Sequence, residues 1–112
     1  MDEKTSIQLH ELHARVCKAI ADPKRLLIIN ELRDKELSVG DLSQALTLTQ
    51  SNVSQHLAIL RERGLVTTRR DGTTIYYALR SQKVVQAVDL LREFMAESLT
   101  EQGRLGGAVP AG

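Results

Sequence analysis

With 112 residues, 42% of them hydrophobic, the chain has material for one domain with a modest core. A formal net charge of +1 excludes a global basic field as the means of holding nucleic acid, and a lone cysteine, Cys17, excludes an internal disulfide. No apolar run is long enough to span a membrane, and Met1-Asp2-Glu3-Lys4 lacks the basic and apolar regions of a signal peptide; the expectation is a cytoplasmic protein with no membrane partner.

In chain order, Ile7 to Ala21 reads as a helix with Leu9, Leu12, Val16 and Ile20 along one stripe. Asp22-Pro23 closes it and opens a second helix, about Pro23 to Arg33, because Asp caps well and Pro at the first helical position gives up no bond that would have formed. The block Leu26-Leu27-Ile28-Ile29 covers most of that helix's circumference. Burial on more than one side follows, which makes this the central core helix.

Ser38 to Leu60 then reads as two short helices joined by a tight turn. Ser38 is the N-cap of the first, with Asp41 completing a capping-box variant and Leu37 and Leu42 at the positions of a hydrophobic staple. The pattern stops after Ala45 and Leu46, Thr47 to Thr49 make the turn, and Thr49 caps the next helix with Leu48 and Val53 as a second staple. On that second helix Val53, Leu57 and Leu60 share one face and anchor it to the core. The opposite face carries Ser51, Gln55 and Ala58, flanked by Asn52 and Ser54. A merely solvated face would more often carry Glu and Lys, whereas Gln, Asn and Ser reach base edges without a charge to desolvate.

The pair ends near Arg63-Gly64, where Gly is the expected terminator. Leu65 to Arg70 and Thr73 to Leu79 read as two strands around Asp71-Gly72, a strong hairpin signal, with Ile75, Tyr77 and Leu79 alternating onto one face. Arg69, Arg70, Thr73 and Thr74 at its tip make this hairpin a wing. From Arg61 to Lys83 six basic residues stand against two acidic ones, and phosphate contacts need such a local patch beside the reading helix rather than a positive molecule. A final helix runs from Gln82 to about Ser98, with Val84, Val88, Leu91 and Met95 on one stripe and Val85, Ala87, Leu90 and Phe94 on neighbouring sides. That is more apolar surface than one packing contact hides, so the excess is expected to be buried against a second copy through the first and last helices. Residues 1–100 are thus one DNA-binding and dimerisation domain, and the glycine-rich stretch 101–112 a disordered tail.

The order of elements, with VCKAIADPKRLLIINEL, ELSVGDLSQAL, TQSNVSQHLAILRERGLV and RRDGTTIYYAL, resembles the ArsR/SmtB family of winged helix-turn-helix transcriptional repressors over about Val16 to Phe94. The resemblance implies a mainly α fold with a β-hairpin wing: four helices, the hairpin, then a fifth helix. It also implies a homodimer through the first and last helices, binding an imperfect inverted repeat in double-stranded DNA and released by an inducer, here unidentified. Members that sense arsenic or cadmium carry two cysteines in a segment ELCVCDL; here it is ELSVGDL, with Ser38 and Gly40 in their places, and a serine hydroxyl does not replace a thiolate for a soft metal. The Asp and His ligands of zinc- or nickel-sensing members have Ser81, Lys83, Phe94 and Glu97 at the nearest matching positions. The wording is most like the metal-blind branch of virulence, nodulation and persulfide regulators. The persulfide members use two cysteines, however; Asn30 occupies the first neighbourhood and the last helix has none.

On this reading Ser51, Asn52, Ser54 and Gln55 make major-groove contacts, with Gln55 and Asn52 suited to bidentate pairing with adenine. Thr49, Arg61, Arg69, Arg70 and Thr73 contact the DNA backbone. Cys17 is the candidate sensor: it shares one flank of the first helix with His10 and His13, but positions seven apart lie about 10 Å apart along a helix, so a metal site would need ligands from a second protomer. The plainer alternative makes Cys17 a small core residue, and no metal or cofactor is expected. His56 is expected to pack or bond locally. With no phosphate loop, nucleophile elbow or spaced carboxylate pair, an enzyme is not expected; the competing reading is a winged-helix module that docks a protein.

Overall fold

The computed structural model describes residues 1–106. In chain order the elements are α1 (Glu3–Ile20), α2 (Pro23–Glu31), β1 (Leu37–Ser38), α3 (Val39–Leu46), α4 (Gln50–Glu62), β2 (Val66–Asp71), β3 (Thr74–Leu79) and α5 (Gln82–Gly106). They form two compact units, one ending at Gln82 and the other beginning at Lys83.

Each helix of the first unit starts where a side chain satisfies a free backbone donor. Asp2 Oδ1 accepts from Thr5 N at 2.7 Å, which starts α1 at Glu3 and not at Ile7, where the apolar stripe begins. Asp22 Oδ1 accepts from Lys24 N and Arg25 N at 2.8 and 3.2 Å, with Pro23 in the first turn. The predicted capping box is present, Asp41 N to Ser38 Oγ at 3.1 Å and Ser38 N to Asp41 Oδ2 at 3.0 Å. Thr49 Oγ1 accepts from Asn52 N at 3.1 Å and opens α4 as expected.

The ends are equally specific. α2 stops at Glu31, short of the expected Arg33: Leu32 N still bonds Ile28 O at 3.0 Å, but Arg33 N bonds Asn30 O at 3.2 Å, a tighter closing turn. α3 ends on Thr47 at φ 54°, a left-handed conformation costly for a β-branched residue, and Leu48 N returns to the Ser43 carbonyl at 3.1 Å. α4 ends in a complete Schellman motif: Leu65 N bonds Leu60 O at 2.9 Å and Gly64 N bonds Arg61 O at 3.0 Å, with Gly64 at φ 76°.

Ile28, Ile29 and Leu32 of α2 and its C-cap, Leu42 of α3, and Val53, Leu57 and Leu60 of α4 are fully buried and form the centre of this unit, as the apolar block of α2 predicted. Leu27, from the same block, is instead exposed. The sheet is antiparallel with strand order β1-β3-β2. β1 was not predicted: Leu37 pairs with Tyr77 and Ser38 with Tyr76, just ahead of α3.

The hairpin also turns one residue later than expected. Asp71 pairs with Thr74, leaving Gly72-Thr73 as the loop with Gly72 at φ 63° and no positive φ at Asp71 or Thr73. A loop on Asp71-Gly72 would force Asp71 as well as Gly72 to positive φ, whereas a two-residue turn with Gly first asks this of the glycine alone. The register that results sets Arg69 opposite Tyr76 and Arg70 opposite Ile75. Ile75, Tyr77 and Leu79 share a face as predicted, yet all six residues of β3 are half-buried, so the alternation leaves no mark on exposure.

In the second unit α5 continues to Gly106, past the expected end near Ser98 and into the stretch expected to be disordered; 107–112 lies outside the described residues. Leu90, Leu91, Phe94, Met95 and Leu99 of α5 are exposed. No helix among the described residues is long and apolar enough to cross a membrane.

Candidate nucleic-acid interface

The interface is built on α4, which is apolar on one side and polar on the other. Val53, Leu57 and Leu60 are each 0% exposed, which fixes the rotation of the helix about its axis. Ser51, Ser54, Gln55 and Ala58 are thereby exposed on the remaining surface. Asn52 departs from the expected set: it is half-buried, and its Oδ1 is buried with no hydrogen-bond partner.

A contact with no signal in the sequence holds α4 against α2. Arg25 places Nη1 3.1 Å from His56 Nδ1 on α4, and its Nε donates to the Ala19 carbonyl in the last turn of α1. A guanidinium only donates, so in this contact His56 Nδ1 is the acceptor. His56 therefore bonds as expected, but to a partner 31 residues away rather than to a neighbour. The backbone N–H of Arg25 holds the Asp22 carboxyl below the ordinary carboxylate range, with the backbone N–H of Lys24 and the charge of Arg25 acting in the same direction.

The two wing arginines, adjacent in sequence, have different surroundings because successive strand residues point to opposite faces. Arg69 lies 5.0 Å over the Tyr76 ring and reaches across β3 to Glu36, with Nε 3.0 and 3.1 Å from the two carboxylate oxygens and Nη2 bonded to Oε1. This hydrogen-bonded pair lowers the pKa of Glu36 and raises that of Arg69. Arg69 is therefore not a free cation at the tip. Arg70, on the other face of β2, is exposed and makes no hydrogen bond or ion pair among the described residues, and Thr73 is exposed in the loop. Arg61 is exposed in the last turn of α4, where a cation also suits the helix dipole. Thr49 is exposed, and its hydroxyl, accepting from Asn52 N, still has a proton to donate.

The candidate sensor stands apart from these residues. Cys17 is exposed, not a small core residue, and His10 Nδ1 lies 2.7 Å from the Ser6 carbonyl of its own helix. Among the described residues no group of three His, Cys, Asp or Glu side chains is placed to hold a metal ion.

A capped helix pair whose second member presents short polar side chains, followed by a hairpin with a free arginine, defines a winged helix-turn-helix DNA-binding protein. Residues 22–68 match the bacterial regulatory protein, arsR family. The chain is 47% identical over 81 residues to the transcriptional activator HlyU of Vibrio cholerae serotype O1, covering 72% of this chain and 75% of that protein. Among solved structures it is similar to the homodimeric winged helix-turn-helix DNA-binding domain Mb0332 of Mycobacterium bovis, with TM-score 0.77 at 30% identity over 90% of this chain and 93% of that one. It is likewise similar to the transcriptional repressor BigR of Xylella fastidiosa, with TM-score 0.71 at 34% identity over 84% and 96%. The chain belongs to the arsR family of bacterial regulatory proteins: it is a DNA-binding transcriptional regulator and not an enzyme.

Proposed function

We propose that the protein is a cytoplasmic homodimeric repressor that occupies an inverted-repeat operator and leaves it when an inducer is sensed. The observation that carries this reading is the two-sided character of α4, with three anchors fully buried and Ser51, Ser54 and Gln55 exposed opposite them. Gln55 pairs with adenine and the serines bond base edges in the major groove. Asn52 joins them once its amide turns outward, which the unpartnered state of its buried Oδ1 favours. Thr49, Arg61, Arg70 and Thr73 bind phosphates and set the register. Repression by covering a promoter needs only this occupancy.

Dimerisation is supported by the exposed Ile7, Leu9 and Leu12 of α1 and Leu90, Leu91 and Phe94 of α5, and by the homodimeric state of the similar M. bovis domain. The test is selection from a random duplex library with the reduced, metal-free protein. A twofold-symmetric site with half-sites about one helical turn apart is the expected result. Enrichment of nothing symmetric would refute the reading and favour a protein-docking module.

A further inference from the structure

The Glu36–Arg69 pair joins two edges of the sheet. Glu36 immediately precedes β1, Arg69 lies on β2, and β3 runs between them with Tyr76 beneath the guanidinium. The carboxylate meets that guanidinium through both Nε and Nη2, which is how a phosphate would meet it. Resting on the DNA-binding reading above, we infer that Glu36 is a positioning residue that occupies the phosphate-binding edge of Arg69, so that each wing offers DNA one arginine, Arg70, instead of two. The pair is electrically silent towards the duplex. Glu36 thereby limits the part of the affinity that is indifferent to sequence, because phosphate contacts carry no base information.

The exposed position of both partners lets a phosphate compete for Arg69 once the carboxylate is gone. Glu36→Gln keeps the side chain's shape and removes its charge. In Glu36→Gln, the dependence of log affinity on log salt steepens by about 0.9 per wing, which is a gain of about 3.5-fold per wing at about 50 mM relative to about 200 mM salt. The gain is equal on the operator and on a random duplex. In Glu36→Gln/Arg69→Gln the slope returns to that of the wild type, since a silent pair has been replaced by a neutral one.

The measurement is fluorescence anisotropy with wild type and both variants on the two duplexes across that salt range, with thermal melts to show that the variants are folded. An unchanged slope in Glu36→Gln overturns the inference. So does a double variant shallower than wild type by about 0.9 per wing, because Arg69 would then already touch phosphate with Glu36 in place. A wild type that binds neither duplex refutes the DNA-binding reading itself and this inference with it.

Discussion

Arg70→Ala tests the division of labour between wing and helix most directly. Arg70 is exposed, lies on the strand face opposite Arg69 and has no partner among the described residues, so its removal breaks nothing internal and its effect on binding is that of the lost cation. One phosphate contact contributes a slope of about 0.9 in log affinity against log salt, and a dimer with two wings loses about 1.8. Over a fourfold change in salt, that difference makes the penalty about 12-fold larger at low salt than at high salt. The loss falls equally on operator and random duplex. Gln55→Ala is the contrasting control: it discriminates less between bases at the position it reads, by about 1–3 kcal/mol, and leaves the salt slope alone. Anisotropy titrations of both variants on both duplexes give all four quantities. An Arg70→Ala variant with unchanged slope and a loss confined to the operator would show that the wing reads bases. A slope change of about 0.9 would show that only one wing of the dimer is engaged.

Leu57→Ala, which empties a fully buried position behind the reading face, is expected to cost about 2–5 kcal/mol of stability by urea denaturation. Binding per folded molecule should be retained below the unfolding transition. Phe94→Glu puts a charge on the exposed apolar side of α5; in the proposed dimer, at about 2 kcal/mol per copy, dissociation rises about 10³-fold, and sedimentation velocity checks this. The carboxyls of Asp22 and Asp41 are held below their usual 3.8 by backbone donors at helix starts, Arg25 N and Ser38 N respectively. A lowered folded-state pKa contributes stability that is complete above the unfolded value and is lost as pH falls through the folded one. Thermal midpoints should therefore hold down to about pH 4 and drop below it, and Asp41→Asn should flatten that drop.

Much of the interface was legible because its signals are local. A cap acts within three residues, a staple within five, and the stripe Val53, Leu57, Leu60 within two turns, so Ser38, Asp41, Thr49 and the rotation of α4 follow from spacing. The polar face of α4 follows from the same rotation. The less legible features depend on distant partners. Arg25 sits in an apolar helix with nothing nearby to suggest that it bonds His56, and Cys17 is exposed although its helical flank does not reveal that. The start of α1 failed for a different reason. Periodicity marks the apolar stripe, whereas the helix begins at its cap, Asp2.

The two errors in the wing have one origin, and they bear on function together. A two-residue strand has no period to read, so β1 exists only through its pairing with β3. The hairpin register turns on whether one or two residues must adopt positive φ, and the version that strains only Gly72 brings Tyr76, not Thr74, opposite Arg69. With β1 beside β3 and Tyr76 under the guanidinium, Arg69 lies within reach of Glu36. Counted along the sequence, the wing has two adjacent arginines of equal standing. Counted on the folded sheet, one is already neutralised. On the proposed reading, the charge that the wing offers DNA is set by strand register as much as by composition, and the salt slope of Glu36→Gln tests that difference.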